Sequence, residues 1–266
     1  MPFGEYWDRG VWLVELDRAA RTDIQSYVDY VRARLKEMEL SLEVDGDMRA
    51  FREFYLAQKN RLNFPTSLDE SHTQVLRNAY WLKVQTASGR IVCCYGQKLF
   101  MTDDFIRSAL LHTCYHDYTP NLDWYEVELH PEAERLRIGG RIVMGGGLWI
   151  DPEWRGTGHS LMIANRVARA IGLRHFEPDW FVSFMDYRAS RMDMAKSLNG
   201  AAFAHAVRFS DGIYPPSVYF GHEPKDRPMI LAWSRYDEAL EIIRHELAGD
   251  ADRHKRSEQR HRARSV

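Results

Sequence analysis

The chain has 266 residues, 45% of them apolar and 28% charged, which suits one large packed domain and is tight for two full ones. Lys plus Arg number 36 against 38 Asp plus Glu, so the formal charge of −2 excludes a chain that binds polyanions over its whole surface. No apolar run approaches the ~20 residues that span a bilayer, MPFGEYWDRG lacks the basic start and apolar stretch of a secretory signal, and Cys93, Cys94 and Cys114 are too few for a disulfide framework. A globular cytoplasmic protein without membrane contact is expected.

In chain order, Ile24, Val28, Val31, Leu35 and Met38 fall at three- and four-residue steps and predict an amphipathic helix over 22–40. Ser67-Leu-Asp-Glu70 reads as a capping box opening a short helical stretch toward Trp81. The period then changes. Residues 81–87 and 91–100 read as two strands turning at Ser88-Gly89-Arg90. Phe105, Ile106, Ala109, Leu110 and Cys114 predict a helix over 103–116, and strands follow at 124–129 and 141–150. Residues 160–174 are a helix, 180–185 a short apolar strand, and 189–198 a helix stopped by Asn199-Gly200. A last strand at 229–233 precedes a helix over 236–247. Strands and helices alternate, so the class is α+β, layered in the α/β manner around a central sheet. From 252 to the end, six Lys/Arg face two acids, a local charge of +4 that leaves −6 on residues 1–251. That segment has almost no apolar residue to bury, so 251–266 is expected to be a solvated, disordered tail, the one place where nucleic acid or an acidic partner would be met.

The segment from Gly145 to Ser160, GGGLWIDPEWRGTGHS, carries the chemistry. An apolar strand ends at Ile150, Asp151-Pro152 breaks it, and a turn with Gly156 and Gly158 feeds the next helix. Glycines there let successive N–H groups converge in one concavity, the helix dipole adds positive potential, and Arg155 supplies a cation at the rim. A phosphate or pyrophosphate is the ligand such a turn takes. No lysine follows Gly158, which excludes a Walker loop. The third Rossmann glycine is replaced by Leu161, and the nearest acids, Glu177 and Asp179, lie beyond the helix. Gly145-Gly146-Gly147 inside a strand marks a bulge or a close backbone approach.

Arg155-Gly-Thr-Gly158-His-Ser160 resembles the Arg/Gln-x-x-Gly-x-Gly/Ala loop of the GCN5-related N-acetyltransferases (the GNAT superfamily), with flanks that agree: strand, Asp-Pro, aromatic, Arg-Gly-x-Gly, amphipathic helix. Ser160 stands in place of the family's last small residue. The resemblance covers about residues 78–235. It implies a central mixed, mostly antiparallel sheet flanked by helices. It also implies acetyl-CoA, or another acyl-CoA, as cosubstrate, with no metal. Its pyrophosphate would rest on Arg155, Gly156, Thr157, Gly158, His159 and Ser160, and its pantetheine arm along the backbone of Leu148, Trp149 and Ile150. In that family the strand before the loop is splayed from its neighbour by a bulge, which fits the triple glycine. The expected organisation is a helical extension over 1–77 packing on the core, an acyltransferase domain over 78–250 and the tail. An oligomer is compatible with it.

Acetyl transfer to an amine needs a route for the amine proton and an acid for the departing thiolate. The family's tyrosine before the glycine of its second conserved helix is missing, since Lys196 stands there, so Tyr187 and Tyr214 are the substitutes by reach, or else packed tyrosines. Glu126 and Glu128 share one face of the strand expected to pair with 141–150, and serve either as base through a water or as a solvated edge. His112 and His116 have i, i+4 spacing, but Thr113 replaces the glutamate of HExxH, so packing at a helix end explains them. Cys93 and Cys94 are read as core. The turn-rich segments 211–216 and 220–224 wall a substrate pocket or simply connect strands. The resemblance thus implies an N-acyltransferase acting on a small-molecule or protein amine. Two alternatives stand beside it: a non-catalytic acyl-CoA-binding regulator of the same fold, and a relative of acyl-homoserine-lactone synthases, whose N-terminal arginine and tryptophan pattern is absent.

Overall fold

The computed structural model describes residues 18–58, 68, 78–107, 127–155, 163–185, 202–209 and 229–249. Helix α1 (Arg18–Glu37) buries Ala20, Ile24, Tyr27, Val28, Val31 and Leu35, the stripe expected from its spacing. It ends earlier than expected, because Glu39 takes a left-handed φ of 57° and Leu40 opens strand β1 (Leu40–Asp45). Asp47 then caps helix α2 (Met48–Ala57) by accepting from the Ala50 N–H at 2.9 Å. Neither β1 nor α2 was expected from the sequence.

Strands β2 (Ala79–Thr86) and β3 (Ile91–Thr102) form the expected hairpin, followed by β4 (Val127–Leu129), a short helix α3 (Pro131–Glu134) and β5 (Gly140–Ile150). A 3-10 turn (Pro152–Trp154) leads toward α4 (Ile163–Phe176), and β6 (Trp180–Met185), β7 (Ala202–Phe209) and β8 (Met229–Arg235) complete the sheet. A last helix, α5, runs over 236–249. The eight strands lie in the order β1-β2-β3-β5-β6-β8-β7-β4. Among the described residues only β5 and β6 pair in parallel, so the sheet is mixed and mostly antiparallel, as the resemblance implies. A parallel pair needs a crossover, and α4 lies on that connection. Residues 1–77 are more than a helical extension, because β1 pairs with β2 along its whole length.

The sheet carries a layer on each face. On one, α1, α4 and α5 bury Ile24, Val31, Val167, Ile171 and Ile243 against Tyr80, Leu82, Tyr95, Val143 and Phe181. On the other, Phe51 and Tyr55 of α2 cover Trp81, Cys94 and Trp149, with Phe51 stacked on Trp81 at 5.1 Å between ring centroids. Burying such side chains stabilises by about 1.5–3 kcal/mol each. Polar ties cross the first layer. Tyr80 donates to Gln97 Oε1 at 2.5 Å and reaches the Ala168 carbonyl at 3.1 Å, joining β2, β3 and α4. Among the described residues no helix is long and apolar enough to cross a membrane.

Candidate active site

The sheet opens at the parallel pair of β5 and β6. Strands β5 and β6 are joined only from Ile142↔Trp180 to Gly145↔Ser183. Beyond Ser183, β6 continues beside β8, with Phe184 opposite Leu231 and Met185 opposite Ile230. Beyond Gly145, β5 continues beside β3 as far as Ile150↔Cys93. The two strands therefore part like a fork, and among the described residues no strand pairs with the inner edge of Gly146–Ile150. Backbone N–H and C=O groups on such an edge demand partners. They are what an extended, amide-bearing ligand meets.

The glycines build this fork. Gly146 lies opposite Gly96, yet Trp149 lies opposite Cys94, so β5 spends three steps where β3 spends two. The extra residue is a bulge, and Gly147 sits in it with φ 65°, a left-handed conformation that side chains other than glycine's rarely adopt. Because strand side chains alternate, one extra residue reverses every face after it. Leu148 and Ile150 thereby join Val143 against the α1–α4 layer, and Trp149 turns to the α2 layer, 5.5 Å from Phe54 between ring centroids.

The end of β5 is locked. Asp151, buried, accepts from the Glu153 N–H at 3.0 Å and from Arg90 Nη2 at 2.6 Å. Arg90 bonds Glu153 as well, at 2.6 Å. Arg155 folds back, its Nε donating to the Ile150 carbonyl at 2.8 Å, with an exposed side chain at the mouth of the fork. Gly156, Thr157, Gly158, His159 and Ser160 lie outside the described residues, and α4 is described from Ile163.

At the closed end stand two hydroxyls that the sequence did not single out. Tyr95 of β3 lays its ring over Gly145, and a Cβ on that glycine would meet Tyr95 Oη at 1.8 Å. Tyr95 Oη lies 3.3 Å from Ser183 Oγ on β6, so the pair spans the last rung of the parallel ladder. Both residues are 3% exposed. Burial pushes the Tyr95 pKa up, and the Ser183 contact and the Arg169 charge only moderate this, so the phenol stays protonated at neutral pH. Arg169 of α4 is buried as well; desolvation lowers its pKa, while Tyr95, Glu246 and Tyr27 act in the other direction. Tyr27 in turn donates to Glu246, which pairs with Arg166 at 3.1 Å and so ties α1, α4 and α5 together behind the fork. Gly145 was the legible trace of this arrangement, as a mid-strand glycine under a close approach. Its partners, 50 and 38 positions away in sequence, left no local pattern.

The proposed base is displaced. Glu128 lies on β4, which pairs with β7 at the far edge, with Glu128 opposite Arg208. Four strand spacings separate β4 from β5, about 19 Å, so the expectation that this strand pairs with 141–150 is incorrect. Alternation showed a strand there but not its neighbour, and β5 returns to β3 instead. Glu126, Tyr187, Tyr214, His112 and His116 lie outside the described residues. Cys93 and Cys94 are buried core thiols, as expected, and burial pushes the Cys93 pKa up to about 12, which leaves no thiolate for nucleophilic use. Among the described residues no group of His, Cys, Asp and Glu could hold a metal ion. A cavity of about 550 Å³ lies at the other end of α4, lined by Arg18, Arg21, Gln25, Arg174 and Glu177 among others.

No family model matches the chain, and no curated protein matches it in sequence. Solved structures do resemble it in shape. The dodecameric spermidine N-acetyltransferase of Vibrio cholerae is 10% identical with a TM-score of 0.41, over 76% of this chain and 97% of that one. NAA60 of Arabidopsis thaliana, solved with acetyl-CoA, is 9% identical with a TM-score of 0.41, over 74% and 99%. The Vibrio cholerae spermidine enzyme with CoA and spermine is 9% identical with a TM-score of 0.39, over 76% and 99%.

Proposed function

We propose that the chain is an acyl-CoA-dependent N-acyltransferase, moving an acetyl group to a small-molecule or protein amine. The observation that carries this reading is the fork. Among the described residues no strand pairs with the inner edge of Gly146–Trp149, and this edge leads toward the Arg155–Ser160 segment, whose composition suits a pyrophosphate. A pantetheine arm, with its two amides, is the ligand that matches such an edge. In this reading the backbone of Leu148, Trp149 and Ile150 orients the arm, and Arg155 to Ser160 hold the phosphates. The acyl-CoA supplies an activated thioester, open to direct attack by an uncharged amine. Backbone N–H groups at the Gly147 bulge are candidates to polarise its carbonyl. Tyr187 and Tyr214 remain proposals for the acid, while Glu126, which directly precedes β4 at the far edge, shares the displacement of Glu128 and is not proposed as the base.

A second reading, an acyl-CoA-binding regulator without turnover, is favoured by Lys196 at the place of the family's tyrosine. Thermal unfolding with acetyl-CoA tests what the two share: at 100 times its dissociation constant, a ligand of the folded state adds about 2.7 kcal/mol. No shift with any acyl-CoA refutes both. Where a shift is found, release of free thiol over a panel of amines identifies the enzyme, and a shift without release identifies the regulator.

A further inference from the structure

We propose that Tyr95, braced against Ser183, is the floor of the slot between β5 and β6 and limits the acyl group to two carbons. This rests on the acyl-CoA reading and deepens it. An arm that enters at Arg155 and follows the open edge of β5 passes Ile150, Trp149 and Leu148 before reaching Gly145, where the strands close. The stretch from Ile150 to Gly145 runs beside the four steps from Cys93 to Gln97 on β3, about 13 Å at ~3.3 Å per residue. What it meets there is the phenol oxygen, since Tyr95 Oη occupies the space that a Gly145 side chain would need. The ring cannot swing aside freely. It is buried in the layer that holds Val143, Ile171 and Phe181, and Ser183 stands on the opposite strand at 3.3 Å. With the thioester carbonyl on the N–H groups of the Gly147 bulge, as proposed above, the methyl of an acetyl group already reaches this ring, and a longer chain would have to displace it or part the β5–β6 ladder.

The test measures dissociation constants of CoA and of acetyl-, propionyl-, butyryl- and hexanoyl-CoA for the full chain and for Tyr95→Phe and Tyr95→Leu. One methylene too many in a closed apolar pocket costs roughly tenfold or more in affinity. The wild-type protein is therefore expected to bind propionyl-CoA at least about tenfold more weakly than acetyl-CoA. Tyr95→Phe keeps the ring and removes one oxygen atom, and should erase that discrimination between two and three carbons. Tyr95→Leu should admit butyryl- and hexanoyl-CoA, with the affinity for CoA itself unchanged in both variants. If Tyr95→Leu does not fold, Tyr95→Phe decides. Equal binding of all chain lengths by the wild-type protein, or the same length preference in Tyr95→Phe, overturns the inference and leaves the cosubstrate reading intact. Failure of CoA and every acyl-CoA to bind overturns both.

Discussion

Substituting Gly145 with alanine places one methyl group where the fork closes. The new Cβ would lie 1.8 Å from Tyr95 Oη, 2.5 Å from Cζ and 2.9 Å from Cε1, so the phenol has to retreat by more than 1 Å. It has little room, being packed beneath α4, and overpacking of this kind costs about 1–3 kcal/mol. Losing the Tyr95–Ser183 contact adds roughly 0.5–1.5 kcal/mol. Against this, alanine restricts the unfolded chain and returns about 0.4–1 kcal/mol. Gly145 is not in the left-handed region, so no backbone strain enters. The net expectation is a loss of about 1–3 kcal/mol. Urea unfolding reads it as a lower midpoint at unchanged slope. Combining Gly145→Ala with Tyr95→Phe removes the oxygen contact and leaves the Cζ contact, so the double variant should be more stable than the sum of the single losses by about 0.5–2 kcal/mol. Strict additivity, or a Gly145→Ala protein as stable as the wild type, would refute the close approach.

Other changes probe the same framework. Gly147→Ala forces a side chain into the φ 65° of the bulge and should cost about 1–2 kcal/mol, with weaker CoA binding as the companion readout. Gly172→Ala gains helix propensity, about 1 kcal/mol, but its Cβ would lie 2.6 Å from Gln97 Oε1, which Tyr80 holds in place; denaturation should show a net loss. Glu177 follows α4 with φ 42°, and its Oε2 is buried without a hydrogen-bond partner, so Glu177→Gly should stabilise by about 0.5–1 kcal/mol. Burial raises the Glu177 pKa, with Arg141 and Arg21 opposing. The folded state therefore holds this proton more tightly, and the group's contribution falls as pH rises from the ordinary carboxyl value through the raised one; Glu177→Gln should remove that slope from a stability–pH curve. Cys93 should resist alkylation at pH 8 in the folded protein and react on unfolding, as followed by intact mass.

Much of the layout was legible because it rests on local periodicity. The β2–β3 hairpin, the β5 strand, β6 and the α1 stripe followed from spacing, and the glycine triplet announced the bulge. What was hidden depends on partners far apart in sequence. β1 and α2 lie between a helix stop at Glu39 and a segment of mixed polarity, and only pairing with β2 and the Phe51–Trp81 stack make them visible. Glu128 showed strand alternation, but alternation does not name a neighbour, and that strand lies at the far edge of the sheet. Tyr95 carries no local mark in the sequence, and only the register places it over a glycine of another strand.

That register also joins the bulge and the floor into one device. Without the extra residue at Gly147, Leu148 and Ile150 would point toward α2, and Trp149 would enter the layer that holds Tyr95. The bulge reverses these faces just after Gly145, so the wall of the slot beside Tyr95 is aliphatic and the indole is kept on the other side with Phe54. Two adjacent backbone requirements therefore set separate properties. A left-handed φ at Gly147 opens the edge and chooses its faces, and an absent side chain at Gly145 lets a tyrosine close the end. A variant that damages only the first should weaken every CoA compound alike, whereas one that damages only the second should change which acyl chain fits.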